Sequence, residues 1–90
     1  MVMLMSDDLM EFPCEFPIKM MGRDLPEFRE AAIAVVERHA GRVDADAVRM
    51  AASSNGNFLS ITVTITATSR EQLDNIYRDL TDDEQILVAL

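Results

Sequence analysis

The chain has 90 residues, of which 49 % are apolar, and a formal net charge of −8. This length supports one domain with a single modest core. The excess of acids argues against binding to nucleic-acid backbones or to anionic membranes. Cys14 is the only cysteine, which excludes an intrachain disulfide and a cysteine-based zinc cluster and is typical of a reducing cytoplasm.

The first eleven residues show no clear hydrophobic period. Met1–Met5 is apolar but far shorter than the core of a signal peptide, and two acids, Asp7 and Asp8, follow closely. We expect residues 1–11 to form a flexible N-terminal segment and residues 12–90 to form a single domain. No apolar run in the sequence approaches the length of a membrane span.

The first strand and the first helix follow in chain order. Ile18 and Met20 alternate with other residues, which predicts a strand that ends at Gly22. Gly22 is expected to adopt a positive φ at a tight exit from the strand. Asp24 is predicted to cap the helix, and Gly41 to end it. The helix carries one apolar stripe at three- and four-residue steps, made of Leu25, Phe28, Ala32, Val35, Val36 and His39.

Two further strands are predicted from the middle of the chain. Val48, Met50 and Ala52 indicate a short second strand, and Asn55-Gly56 is the turn chemistry of a β-hairpin. From residue 59 to residue 68, apolar and polar side chains alternate without interruption. A two-residue period places successive side chains on opposite faces, so this third strand has one buried face and one exposed face.

The second helix and the last strand complete the pattern. Ser69 and Gln72 are spaced as a capping box at the start of a helix. Its apolar stripe consists of Leu73, Ile76, Tyr77 and Leu80. Asp82 and Asp83 interrupt the stripe, and residues 86–90 are predicted to form a final strand.

The order β-α-β-β-α-β predicts an α+β, ferredoxin-like fold, with a four-stranded antiparallel sheet and both helices on one face. The first and third strands are expected in the centre of the sheet, and the second and fourth at its edges. The predicted core face consists of Ile18, Met20, Ile61, Val63, Ile65 and Val88. The predicted open face consists of Lys19, Met21, Thr62 and Thr64, with Leu87 as an additional candidate.

The open face excludes several functions that this fold supports in other proteins. Readers of single-stranded RNA stack bases on aromatic side chains of the two central strands, whereas this chain has lysine, methionine and threonines there. The loop after the first strand has no cysteine pair for a metal ion, and no phosphate-binding loop or dinucleotide fingerprint is present. We therefore expect no catalytic residue, metal or cofactor, and no nucleic acid partner.

His39 and Arg23 have side chains that occur in catalytic sites, but their surroundings in the sequence favour other roles. His39 lies at the end of the first helix and on its apolar stripe, so capping or packing is favoured over catalysis. Arg23, with Asn55 or Asn57, has the residue types of a small acylphosphatase, but Pro26 stands where a glycine-rich cradle is needed. That hydrolase remains the least favoured alternative.

The sequence resembles the YbeD-like family of small uncharacterised bacterial proteins from about residue 9 to residue 90. The resemblance rests on Glu11-Phe12-Pro13, Phe16, Lys19, Met21-Gly22, Leu25-Pro26-Glu27, Arg38-His39, Ser53-Ser54 and Gly56. It implies a βαββαβ fold similar to the ACT regulatory domains of metabolic enzymes, and it carries over no catalytic residue. By the same similarity, ligands would bind near the loop after the first strand, at Gly22, Arg23, Asp24 and Leu25, and the domains would associate side by side.

The leading hypothesis is a non-enzymatic, cytoplasmic, ACT-like regulatory domain that senses a small-molecule ligand and acts through a protein partner in trans. A homo-oligomer formed through an edge strand or a helix face is expected. The alternative hypothesis is a protein-binding adapter that uses the open face at Lys19, Met21, Thr62 and Thr64, or an edge strand.

Overall fold

The computed structural model describes residues 10–90, and it confirms the ferredoxin-like fold. The strands and helices in chain order are β1 (Cys14–Arg23), α1 (Pro26–Ala40), β2 (Val48–Ala52), β3 (Phe58–Ala67), α2 (Arg70–Asp82) and β4 (Val88–Ala89). A single 3-10 turn, Ala45–Ala47, precedes β2. The strands form one sheet in the order β2-β3-β1-β4, and each neighbouring pair is antiparallel.

The two central strands form a ten-residue ladder that sets the faces of the whole sheet. Ile18 lies opposite Val63 and Met20 lies opposite Ile61, and all four side chains are fully buried. The alternation predicted along β3 is confirmed, because its odd-numbered residues are buried from Leu59 to Ala67. The helices cover this face with Phe28, Ala32, Val35 and Val36 from α1 and Leu73, Ile76 and Leu80 from α2.

The helix ends follow local sequence signals, with one exception. Gly41 ends α1 with a φ of 81°, and the Ser69 hydroxyl accepts a hydrogen bond from the backbone N–H of Gln72 at 3.0 Å, as predicted. The prediction that Asp24 caps α1 is wrong. The N-cap residue is Leu25, which makes no side-chain cap bond, while Asp24 forms an ion pair with Arg29 at 2.7 Å.

The last strand is shorter than the predicted span 86–90, and its core residue differs. Val88 lies opposite Met21 and is 42 % exposed, so its assignment to the core is wrong. Ile86 is buried instead, in the turn before β4. The reason is register: Met21 is on the open face, and residues directly opposite each other share a face. Leu87, the additional open-face candidate, is exposed but precedes the strand.

The predicted flexible segment 1–11 lies almost entirely outside the described residues. Of its last two residues, Met10 packs against the core. Within residues 10–90, neither helix is long and apolar enough to cross a membrane.

Candidate functional site

Gly22, near the end of β1, lies in a closely packed environment. The prediction of a positive φ here is wrong, because the only glycines with positive φ in the described chain are Gly41 and Gly56. Gly22 instead belongs to β1 and is buried. A Cβ atom at this position would lie 2.4 Å from the Phe28 ring and 2.6 Å from the backbone oxygen of Gln85. Glycine is therefore required for close packing, and the space over its Cα is already filled.

The other three residues of the predicted ligand loop point to different neighbours. The Arg23 guanidinium lies 6.0 Å from the centre of the Phe58 ring, within the range of a cation–π contact. The backbone N–H of Asp24 donates to the backbone oxygen of Asn57 at 3.1 Å, and this bond joins the loop to the β2–β3 hairpin. The Leu25 side chain is 45 % exposed. Gly22, Arg23, Asp24 and Leu25 are thus adjacent but do not converge on one point, and ligand binding there stays a prediction.

The open sheet face is the surface of the sheet opposite the helices, and its residues follow from the strand register. Thr62 lies at its centre, opposite Lys19 on β1 and opposite Arg49 on β2. Lys19 exchanges two backbone hydrogen bonds with Leu90, so a single row runs across β2, β3 and β1 to the residue directly after β4. The four residues predicted for this face, Lys19, Met21, Thr62 and Thr64, all lie on it because they occupy alternate positions of paired strands.

Apolar side chains occupy one end of this face. Met21, Val88 and Leu90 are 40 %, 42 % and 69 % exposed, and they lie on the adjacent strands β1 and β4 or directly after β4. On the other side of Met21, a shallow cavity of about 330 Å³ is lined by Met21, Ala51, Ala52, Ser53, Phe58, Leu59 and Ser60. Exposed apolar side chains that cluster in this way are typical of a binding surface.

The charges on the open sheet face contrast with the charge of the chain. Lys19, Arg23 and Arg49 contribute three positive charges, and Glu15 contributes one negative charge, whereas the whole chain carries −8. Within residues 10–90, Lys19 and Arg49 form no ion pair with a carboxylate. We refer to the part of the open sheet face around Lys19, Met21, Arg23, Arg49 and Phe58 as the basic–apolar region.

A second, polar cavity lies at the other end of the face. It has a volume of about 520 Å³ and forms where the 3-10 turn ends and β2 begins. Carboxylates and guanidinium groups line it together, and its full lining is Glu15, Ala40, Arg42, Val43, Asp44, Asp46, Ala47, Arg49, Thr64, Ile65 and Thr66. Three acids and two bases line this cavity, and one of the bases, Arg49, also belongs to the basic–apolar region.

His39 lies on the opposite side of the molecule and connects the helices. Its Nε2 is 2.6 Å from Oδ2 of Asp79, and Arg38 donates to the same oxygen at 3.2 Å. These hydrogen bonds, that of His39 first, lower the pKa of the Asp79 carboxyl below its ordinary value. The predicted packing role of His39 is realised as a contact between α1 and α2.

Asn55, which the sequence offered as a partner of Arg23, forms hydrogen bonds within its own turn. Oδ1 of Asn55 accepts hydrogen bonds from the Ser53 hydroxyl and from the backbone N–H of Asn57, so it is engaged within the hairpin turn. Across residues 10–90, no group of three or more His, Cys, Asp or Glu side chains is placed to hold a metal ion.

Sequence reasoning missed several members of the basic–apolar region. Arg49, Ala51 and Phe58 come from β2 and from the start of β3. The signal for them was present, because the Asn55-Gly56 hairpin limits which residues of the two strands can pair. Val88 was assigned to the wrong face, because the turn before β4 gives no periodic signal.

Comparison with known proteins places the chain in a family. The model of a family described as "Protein of unknown function (DUF493)" matches residues 7–90. A UPF0250 protein of Paraburkholderia phytofirmans is 51 % identical over 85 residues, covering 94 % of this chain and 96 % of that protein. A UPF0250 protein of Neisseria gonorrhoeae is 45 % identical over 82 residues, covering 91 % and 90 %.

A solved structure supports the fold assignment. The solution structure of HP0495 from H. pylori matches with a TM-score of 0.63 and 14 % identity, and the match covers 90 % of this chain and 85 % of that chain. The resemblance to the YbeD-like family is confirmed by these relatives. The chain belongs to the DUF493 family of bacterial proteins of unknown function.

Proposed function

We propose that this chain is a non-enzymatic regulatory domain that acts by contact with a partner protein through its open sheet face. The observation that carries the proposal is the set of exposed apolar side chains on that face, Met21, Val88 and Leu90, beside an apolar cavity. A protein partner would remove this surface from water, at a gain of about 25 cal/mol for each Å² of apolar area buried.

The same face supports a binding role over a catalytic one. Its central row consists of Arg49, Thr62, Lys19 and Leu90, none of which is a nucleophile paired with a base. The only histidine is engaged with Asp79 between the helices. The adapter hypothesis therefore supplies the mechanism of the regulatory hypothesis, and we propose the cytoplasm as the compartment because the lone cysteine is free.

Small-ligand sensing at the loop after β1 has weaker support. An ACT-like ligand would approach the backbone near Gly22, where the Phe28 ring and the Gln85 oxygen already occupy the space. We therefore place the contact with the partner at the open sheet face and leave the loop as a secondary candidate.

The proposal is tested by affinity capture from the native cell with tagged protein and two matched variants. Met21→Glu places a negative charge on the exposed apolar part of the open sheet face, whereas Met50→Glu makes the same change at a similarly exposed methionine on the helix side of β2. We expect Met21→Glu to reduce the amount of captured partner at least about tenfold, since interface contacts near the centre dominate affinity.

Met50→Glu should capture the partner as the wild type does. Circular dichroism of both variants verifies that they are folded. Equal capture by wild type and Met21→Glu, or no specific partner of the wild type, would contradict a contact through this face.

A further inference from the structure

We infer that the open sheet face binds an acidic protein segment that inserts one large apolar side chain between carboxylates. This inference rests on the proposed function and adds the chemistry of the partner. It follows from the arrangement of charges and apolar side chains in the basic–apolar region, which is more specific than an exposed apolar patch.

The first step of the argument is the cavity that would receive the apolar side chain. Met21, Ala51 and Phe58 line a depression of about 330 Å³ that opens on the sheet surface. Met21 and Ala51 both lie opposite Ser60, so a small side chain separates two apolar ones and leaves room between them. One leucine- or phenylalanine-sized side chain fits this volume.

The second step is the position of the charges relative to the cavity. Lys19 lies two residues before Met21 along β1, and Arg23 lies two residues after it. Because a strand rises about 3.4 Å per residue, the Cα atoms of Lys19 and Arg23 each lie about 7 Å from the Cα atom of Met21, which lines the cavity. Arg49 strengthens the Lys19 side, since both residues flank Thr62.

The third step is the state of these charges in the isolated domain. Lys19 and Arg49 form no ion pair within residues 10–90, and the Arg23 guanidinium faces the Phe58 ring. The chain has 16 acids and only eight bases, and three of these bases lie on the surface opposite the helices. Carboxylates of a partner would complement them and would raise the association rate.

A second copy of the chain is a less suitable occupant. The acids of α2 and of the following turn lie on the helix side of the molecule. If they bound the bases of a second copy, the contact would join two different surfaces. Such a head-to-tail contact propagates into open assemblies unless it closes into a ring. A separate acidic partner avoids this.

Lys19 provides a direct test because it is the only lysine of the chain. A carbodiimide joins a lysine amine to a neighbouring carboxylate without a spacer, so a crosslink at Lys19 reports a carboxylate in contact with the open sheet face. We expect crosslinking of the captured complex, followed by peptide mass spectrometry, to join Lys19 to a partner segment in which acids outnumber bases and flank a large apolar residue. Lys19→Arg keeps the charge and should abolish only this crosslink.

The affinity for the identified partner is then measured for Arg49→Glu and for its matched control, Arg78→Glu on α2. We expect at least about a tenfold loss for Arg49→Glu, a loss that grows as salt is lowered, and less than about a twofold change for Arg78→Glu.

The outcomes separate this inference from the proposed function. One such outcome is a partner that depends on Met21 but presents a neutral or basic segment, and another is an affinity that is unchanged by Arg49→Glu. Either result overturns the inference of an acidic segment and leaves the proposed function standing. A crosslink from Lys19 to a second copy, or capture that nuclease treatment removes, also overturns it. Capture that does not depend on Met21 overturns both.

Discussion

Gly22 illustrates how a residue can be identified correctly and explained wrongly. Its position at the end of a predicted strand indicated a turn glycine, yet its backbone is extended and its neighbours in space are Phe28 and Gln85. The ring of Phe28 is brought there by α1, which no local pattern describes. A glycine required by a distant side chain has the same sequence signal as a glycine required by its own φ.

Gly22→Ala is therefore expected to lower the free energy of unfolding by about 1–3 kcal/mol through overpacking. The measurement is urea denaturation followed by circular dichroism. Phe28→Leu, combined with Gly22→Ala, should cost less than the sum of the two single changes, because the smaller side chain vacates part of the contact. Strict additivity of the two changes would contradict the packing explanation.

Asp79 makes the stability of the molecule depend on acid pH. The carboxylate accepts from His39 and Arg38, so the pKa of Asp79 is lower in the folded chain than the ordinary value of 3.8. The stabilisation is thus present above the ordinary pKa and is lost as the pH falls through the folded pKa. Asp79→Asn should be less stable than the wild type at pH 5, and the difference should shrink on acidification below about pH 4 and vanish once the pH lies below the folded pKa.

Thermal unfolding across this pH range measures the difference between wild type and Asp79→Asn. Glu30→Gln, which removes an exposed acid of α1, is the control and should show no comparable dependence. A difference that persists unchanged at low pH would mean that the ionised carboxylate is not what holds the helices together.

At the scale of elements, β3 was predictable and β4 was not. The alternation predicted from residue 59 to residue 68 is confirmed from Leu59 to Ala67, and Thr68 lies directly after the strand. β4 has two residues, and its register against Met20 and Met21 depends on the turn that precedes it. A two-residue strand carries no period, so tertiary pairing alone decides which of its side chains is buried.

The face assignment of β3 is tested by a pair of adjacent substitutions. Val63→Asp places a charge among fully buried side chains and should cost several kcal/mol, enough to unfold a domain whose total stability is about 5–15 kcal/mol. Thr62→Asp points to the open sheet face between Lys19 and Arg49, and we expect a change within about 1 kcal/mol.

Chemical denaturation of both variants provides the measurement. Thr62→Asp doubles as a probe of the open sheet face, because it should also weaken capture of an acidic partner while leaving the fold intact. Equal destabilisation by the two substitutions would show that Thr62 is not on an exposed surface.

At the scale of the whole molecule, the distribution of charge matters more than its total. The net charge of −8 predicts that the chain does not bind nucleic acids, but it conceals a local excess of bases. Lys19, Arg23 and Arg49 are separated by up to 30 positions in the chain, and the sheet brings them to one surface. Composition averages over surfaces, whereas recognition depends on one of them.

The sequence by itself determined the order of elements, the buried face of β3, the ends of the helices at Gly41 and Ser69, and the family. Each of these depends on residues close together in the chain, through a period, a cap or a spacing. Only the tertiary structure decided that Val88 is exposed, that Gly22 makes room for Phe28, and that Lys19 and Arg49 share a row. The reason is that strand register and helix docking join residues far apart in the chain, and those pairings leave no local pattern.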